Sequence, residues 1–152
     1  MCGIAGIIGR LDNLNRAALG RMNDAMVHRG PDASGTWVSE PDARGYGALL
    51  AHRRLSILDL SPAGAQPMVD PVTGHVVVFN GEIYNFRELR RRLAAEGQSL
   101  CSTGDTAVML RALGLHGPEA VGWLRGMFAF ACWDPKERRL VLARDPLGIK
   151  PL

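Results

Sequence analysis

The chain has 152 residues, 47% of them hydrophobic, and its 18 Lys+Arg against 15 Asp+Glu leave a formal net charge of +3. That composition is an ordinary globular one, and a chain of this length buries about 68–70% of its unfolded surface, enough for a core without disulfide staples. An excess of three charges is too small for the field that tracks a phosphate backbone, and no run approaches the ~18 apolar residues of a membrane span, so neither nucleic acid nor membrane is an expected partner.

Residues Cys2 to Ile8 form a short apolar run interrupted by glycines, which reads as a buried strand. From Asn15 to His28 the apolar positions Ala18, Leu19, Met22, Ala25 and Met26 recur at spacings of three and four, as on one face of a helix. The segment His28-Arg29-Gly30-Pro31-Asp32 ends that pattern. Thr36 to Val38 and Gly47 to Ile57 read as strands, and the second leads into a loop of turn formers, Asp59 to Gly64. Val76 to Phe79 is the clearest strand, and the following Asn80-Gly81 reads as a tight turn that stops it.

Asn85 with Glu88 has the spacing of a capping box and starts a helix carrying Phe86, Leu89 and Leu93 inward, with Arg87, Arg90, Arg91 and Arg92 as a solvated face. Asp105 reads as the cap of a further helix, Thr106 to Leu113, ended by Gly114, with a short helical turn near Pro118 to Leu124. Gly126 to Asp134 and Arg138 to Ala143 form a hairpin about a charged turn. Strands and helices in uneven blocks point to a layered α+β fold.

The residue with the most chemical content is Cys2. Removal of Met1 would put a thiol and a free α-amine on one residue, so the nucleophile would carry its own base; ordinary thiols titrate near about 8.5 and α-amines near about 7.7–8.0. Cys101 and Cys132 have no flanking base and read as packing residues. The three cysteines form no C-x-x-C pair and have no histidine at ligand spacing, so no metal site and no secreted disulfide framework is expected, and a reducing cytoplasm fits. Asn80-Gly81 offers a side-chain amide and a backbone N–H for a developing oxyanion. Arg54 ends an apolar run, where its guanidinium suits a substrate carboxylate, whereas its neighbour Arg53 reads as an ordinary surface residue. Glu82 and Asp105 suit a substrate ammonium. The glycines at Gly3, Gly6 and Gly9 lack the context of a phosphate loop, so no nucleotide site is expected.

Seven blocks, Cys2 to Gly9, His28 to Asp32, Ala51 to Ile57, Phe79 to Asn85, Thr103 to Thr106, Gly126 to Phe130 and Arg144 to Leu152, together resemble the class II glutamine amidotransferase domain. They are most similar to the glutaminase half of glutamine-hydrolysing asparagine synthetase. The resemblance implies a four-layer αββα N-terminal nucleophile hydrolase sandwich of two antiparallel sheets over residues 2–152. It also implies that Cys2 attacks the side-chain amide of glutamine, that Asn80 and Gly81 form the oxyanion hole, and that Arg54, Leu55, Ile57, Glu82 and Asp105 bind the substrate. The implied product ammonia would serve asparagine synthesis from aspartate. The domain itself would need no cofactor, and ATP and magnesium would belong to a synthetase domain, in a longer chain or in trans. A homodimer is a further expectation.

The pattern departs from the family at Ala107, where many relatives carry an acidic residue. It also stops at Leu152, where relatives continue, so the domain is expected to be incomplete at its C-terminus. Two alternatives stay open: a non-catalytic or partner-dependent module of the same fold, and an amidotransferase feeding another acceptor.

Overall fold

The computed structural model describes residues 1–56, 64–100 and 102–152; Ile57, most of the loop read from Asp59 to Gly64, and Cys101 lie outside the described residues. The elements are β1 (Gly3–Arg10), α1 (Asn13–Ala25), β2 (Ala33–Val38), β3 (Tyr46–Arg54), β4 (Met68–Val69), β5 (Val76–Ile83), α2 (Phe86–Ala95), α3 (Asp105–His116), β6 (Gly126–Asp134) and β7 (Arg139–Arg144). They make two sheets, one in the order β1-β3-β2 and one in the order β4-β5-β6-β7. Every strand pairing in both is antiparallel.

Side-chain alternation along the strands sets the layering. On β3, Leu49 and Ala51 face α1 and pack with Leu19, while Ala48 and Leu50 meet Val76, Val78, Ala131 and Trp133 of the second sheet. The opposite face of that sheet, with Val77, Phe79 and Phe130, packs on Leu89 and Leu93 of α2 and on Met109 and Leu113 of α3. The order of layers is thus α1, first sheet, second sheet, and the α2–α3 pair: an αββα sandwich. Because β3 is covered on both faces, it reads as an almost continuous apolar run rather than an alternating one.

Several local expectations are corrected by tertiary contacts. Asn80-Gly81 is not a turn; β5 continues through both residues to Ile83, paired with β6 throughout. Asn85 does not cap α2 with its side chain; its amide bridges to the Trp123 carbonyl and the Arg125 N–H instead. α3 runs through Gly114 to His116 and ends at Gly117, whose φ of 65° is the left-handed geometry that suits a helix terminus. Met22 is exposed, and α1 buries Leu19 and Asn23 instead. Arg90 is not wholly solvated, since its guanidinium donates to the Ser102 and Gly104 carbonyls. The β6–β7 hairpin forms as read, its turn held by the Asp134 carboxylate, which accepts the Lys136 and Glu137 N–H groups at 3.0 and 3.1 Å.

Candidate active site

The register of the first sheet pairs Gly3 with Arg53 and Ile4 with His52, so Cys2 leaves the end of β1 beside Arg54 and Leu55. Its half-buried thiol is held by main chain: the Leu55 N–H donates to Sγ at 3.4 Å, and Sγ approaches the Leu55 carbonyl at 3.7 Å. Arg29 Nε donates to the Cys2 carbonyl at 3.2 Å. Gly30 lets this happen, because a Cβ there would collide with the Arg53–Arg54 peptide. Asp32 completes the junction, its N–H donating to the Arg54 carbonyl and its carboxylate accepting the Ser56 N–H. The block from His28 to Asp32 therefore does more than end a helix. Arg53 is likewise more than a surface residue, since it ties β3 to the end of α1 through the Asn23 carbonyl and the Asp24 carboxylate.

Across from Cys2 stands β5. Alternation turns Asn80 toward the space between the sheets, where it is 3% exposed. The N–H groups of Phe79 and Ile83 point away from β6, toward the Gln66 side chain at 2.7 Å and the Asp105 carboxylate at 2.9 Å. By the same alternation the Gly81 N–H, midway between them, points to that open edge. Gly81 is a glycine here because β6 passes so close that a Cβ would meet the Met127 carbonyl oxygen and come within 2.7 Å of Phe128 Cα.

Cys2, Arg54, Leu55, Asn80, Gly81, Glu82 and Asp105 all line one cleft. Its lining carries both signs of charge, the Arg54 guanidinium and the carboxylates of Glu82 and Asp105. Burial pushes the Asp105 carboxyl above its ordinary 3.8, against the Ile83, Thr106 and own-residue N–H groups that favour the charge, and the Glu82 charge adds to the rise. Such a carboxylate gains from an incoming cation. Ala107, where the family pattern departs, is buried in the core on the apolar side of α3, and Asp105 is supported by Ile83 and Thr106. Met1 also lines the cleft, with its sulfur 3.0 Å from Lys150 Nζ. Among the described residues no cluster of His, Cys, Asp or Glu could hold a metal ion.

Of the residues that the sequence marks, Cys2, Arg54, Leu55, Asn80, Gly81, Glu82 and Asp105 are brought together by the fold; Ile57 lies outside the described residues. Arg29, His52 and Gln66 touch Cys2 and Phe79, and the sequence does not single them out. Arg29 and His52 sit inside motif blocks, the one signal that points to them, whereas nothing local marks Gln66.

A four-layer αββα sandwich with a cysteine at the start of its first strand is the architecture of an N-terminal nucleophile hydrolase. The chain belongs to the glutamine amidotransferase domain family, whose model matches residues 1–152. It is 40% identical over its whole length to asparagine synthetase [glutamine-hydrolyzing] 1 of Bacillus subtilis, covering 24% of that protein. It is 41% identical, again over its whole length, to asparagine synthetase B [glutamine-hydrolyzing] of Escherichia coli, covering 26%. The chain thus spans about a quarter of the length of the curated relatives it matches. Its fold is that of the glutamine phosphoribosylpyrophosphate amidotransferase of B. subtilis, with a TM-score of 0.75 at 18% identity over 99% of this chain and 38% of that one.

Proposed function

We propose that the chain hydrolyses the side-chain amide of glutamine through a thioester on Cys2. The observation that carries this is the single cleft in which a thiol, an amide, a guanidinium and two carboxylates converge. With Met1 removed, the α-amine of Cys2 accepts the thiol proton as Sγ bonds to the amide carbon. The oxyanion accepts hydrogen bonds from Asn80 Nδ2 and the Gly81 N–H, and the proton passes to the departing nitrogen, which leaves as ammonia. Water, deprotonated by the same amine, then attacks the thioester, releasing glutamate and returning the thiol. Arg54 holds the substrate carboxylate, Leu55 supplies backbone contacts, and Glu82 with Asp105 holds the ammonium.

The ammonia is proposed to serve a synthetase domain, in a longer chain or in trans, that makes asparagine from aspartate. This rests on the names of the relatives and on the share of their length that the chain spans. The proposed compartment is the cytoplasm, where a nucleophilic thiol stays reduced. Among the described residues no helix is long and apolar enough to cross a membrane.

The test combines turnover with labelling. Purified chain with Met1 removed should release glutamate and ammonia in equal amounts from glutamine, and a diazoketone analogue of glutamine should label Cys2 stoichiometrically. A folded, processed chain that does neither is the non-catalytic module instead.

A further inference from the structure

Phe79, the residue before Asn80, is gripped from two sides. Its N–H donates to Gln66 Oε1 at 2.7 Å, and its carbonyl oxygen lies 3.1 Å from His52 Nε2. Both grips replace missing ladder bonds. The β4–β5 register pairs Met68 with Val77 and Val69 with Val76, so its continuation would set Gln66 opposite Phe79, with Pro67 between. Proline has no N–H to donate, and β4 ends there. Among the described residues, what holds the outer edge of β5 at Phe79 is these two side chains, which come from different layers.

The histidine is costly where it stands. It is 0% exposed, and its Nδ1 is buried without a hydrogen-bond partner among the described residues. A carbonyl only accepts, so Nε2 carries the proton and Nδ1 is the unpaired acceptor. A phenylalanine of similar size would bury no unpaired ring nitrogen, at the cost of the bond to the Phe79 carbonyl. What the imidazole adds is the bond to Phe79. Burial, with Arg54 nearby adding to the effect, pushes its pKa down to about 4 despite the bond to the Phe79 carbonyl, so the ring is neutral at neutral pH.

We propose that His52 and Gln66 are a pair of positioning residues that hold the Phe79 backbone so that the Asn80 amide and the Gly81 N–H meet the developing oxyanion. This rests on the roles proposed above for Asn80 and Gly81. The oxyanion forms only during reaction, so loosening its donors lowers kcat while glutamine binding, made by Arg54, Glu82 and Asp105, is retained. A displacement of about 1 Å at such a site is worth about 100-fold in rate.

The experiment measures glutamine hydrolysis per labelled Cys2 for His52→Phe, Gln66→Leu, the double variant, and the conservative variants His52→Gln and Gln66→Glu. The two apolar single variants should lose about 10–100-fold in kcat with KM changed less than about threefold. The conservative variants, which keep a donor and an acceptor, should recover most of that loss. The double variant should lose less than the product of the single losses, because both grips act on one residue. Glutamate γ-semialdehyde, which forms a tetrahedral adduct with the thiol, should bind the apolar variants more weakly by the same factor as kcat, while glutamate binds them unchanged. If the losses fall on KM, if the aldehyde and glutamate weaken equally, or if the conservative variants rescue nothing, the pair is structural and the proposal is wrong. Should His52→Phe not fold, Gln66→Leu and Gln66→Glu separate the same two outcomes. A wild-type chain that does not hydrolyse glutamine overturns the proposed function itself, and this inference falls with it.

Discussion

Cys2 and Leu55, 53 positions apart, are joined through one thiol and one peptide backbone, at 3.4 Å to the Leu55 N–H and 3.7 Å to its carbonyl. Among the described residues, the thiol proposed as the nucleophile is therefore oriented by main chain at the end of the β1–β3 ladder.

Cys2→Ser keeps the size and the Leu55 contacts of the thiol but replaces it with a far weaker nucleophile. Thermal unfolding should be unchanged, while glutamate release falls by at least about 1000-fold. Assaying both on the same sample separates loss of chemistry from loss of fold.

Gly81→Ala sets a Cβ against the Met127 carbonyl and 2.7 Å from Phe128 Cα, both backbone atoms of the central pairing in the sheet. Neither can rotate away. Urea unfolding should show a loss of about 1–3 kcal/mol, and kcat should fall as well, because the displaced peptide is the one proposed as an oxyanion donor.

Asp105 carries a carboxyl that burial raises above 3.8. As pH falls through that raised value the carboxylate is neutralised and the attraction proposed for the substrate ammonium is lost, so KM for glutamine should climb. Asp105→Asn should show a high KM at all pH values, without that limb. A raised folded pKa means the folded chain takes up the proton more readily than the unfolded one, so the ionised group weakens the fold above that window. The asparagine still accepts the Ile83 N–H, and its unfolding temperature near neutral pH should match or exceed that of the wild type.

Arg111 on α3 and Asp70 after β4 form a buried pair, their side chains 3% and 4% exposed and 2.7 Å apart. The Thr73 hydroxyl donates to the Asp70 carboxylate, and Arg111 also donates to Gln98 Oε1 and the Ser99 carbonyl. Arg111→Met strands the carboxylate and should cost about 3–5 kcal/mol in urea unfolding, whereas Arg111→Met with Asp70→Leu should recover most of it. The pair fastens the helix that begins at Asp105, so the single variant should also raise KM.

Legibility in the sequence tracks how local the cause is. The strand at Val76, the helix at Phe86 and the hairpin after Gly126 are readable because periodicity and turn residues lie within each segment. Asn80-Gly81 misleads because its turn propensity is local while its pairing with Ala129 and Phe128 is not. Asp105 misleads as a side-chain cap for a similar reason, since its carboxylate bonds to Ile83, 22 positions away. Sequence motifs collect Cys2, Arg54, Asn80, Glu82 and Asp105 as a set without saying how they meet.

By itself the sequence determined the chemistry available: a thiol that can share a residue with an amine, an Asn-Gly donor pair, a guanidinium and two acids, in an order that resembles one family. The tertiary structure alone decided which of these groups share a cleft and which other residues hold them. Arg29, His52 and Gln66 reach Cys2 and Phe79 across 27, 27 and 13 positions. Hydrogen bonds of that kind depend on strand register and on the stacking of two sheets, and no local pattern of residues encodes either.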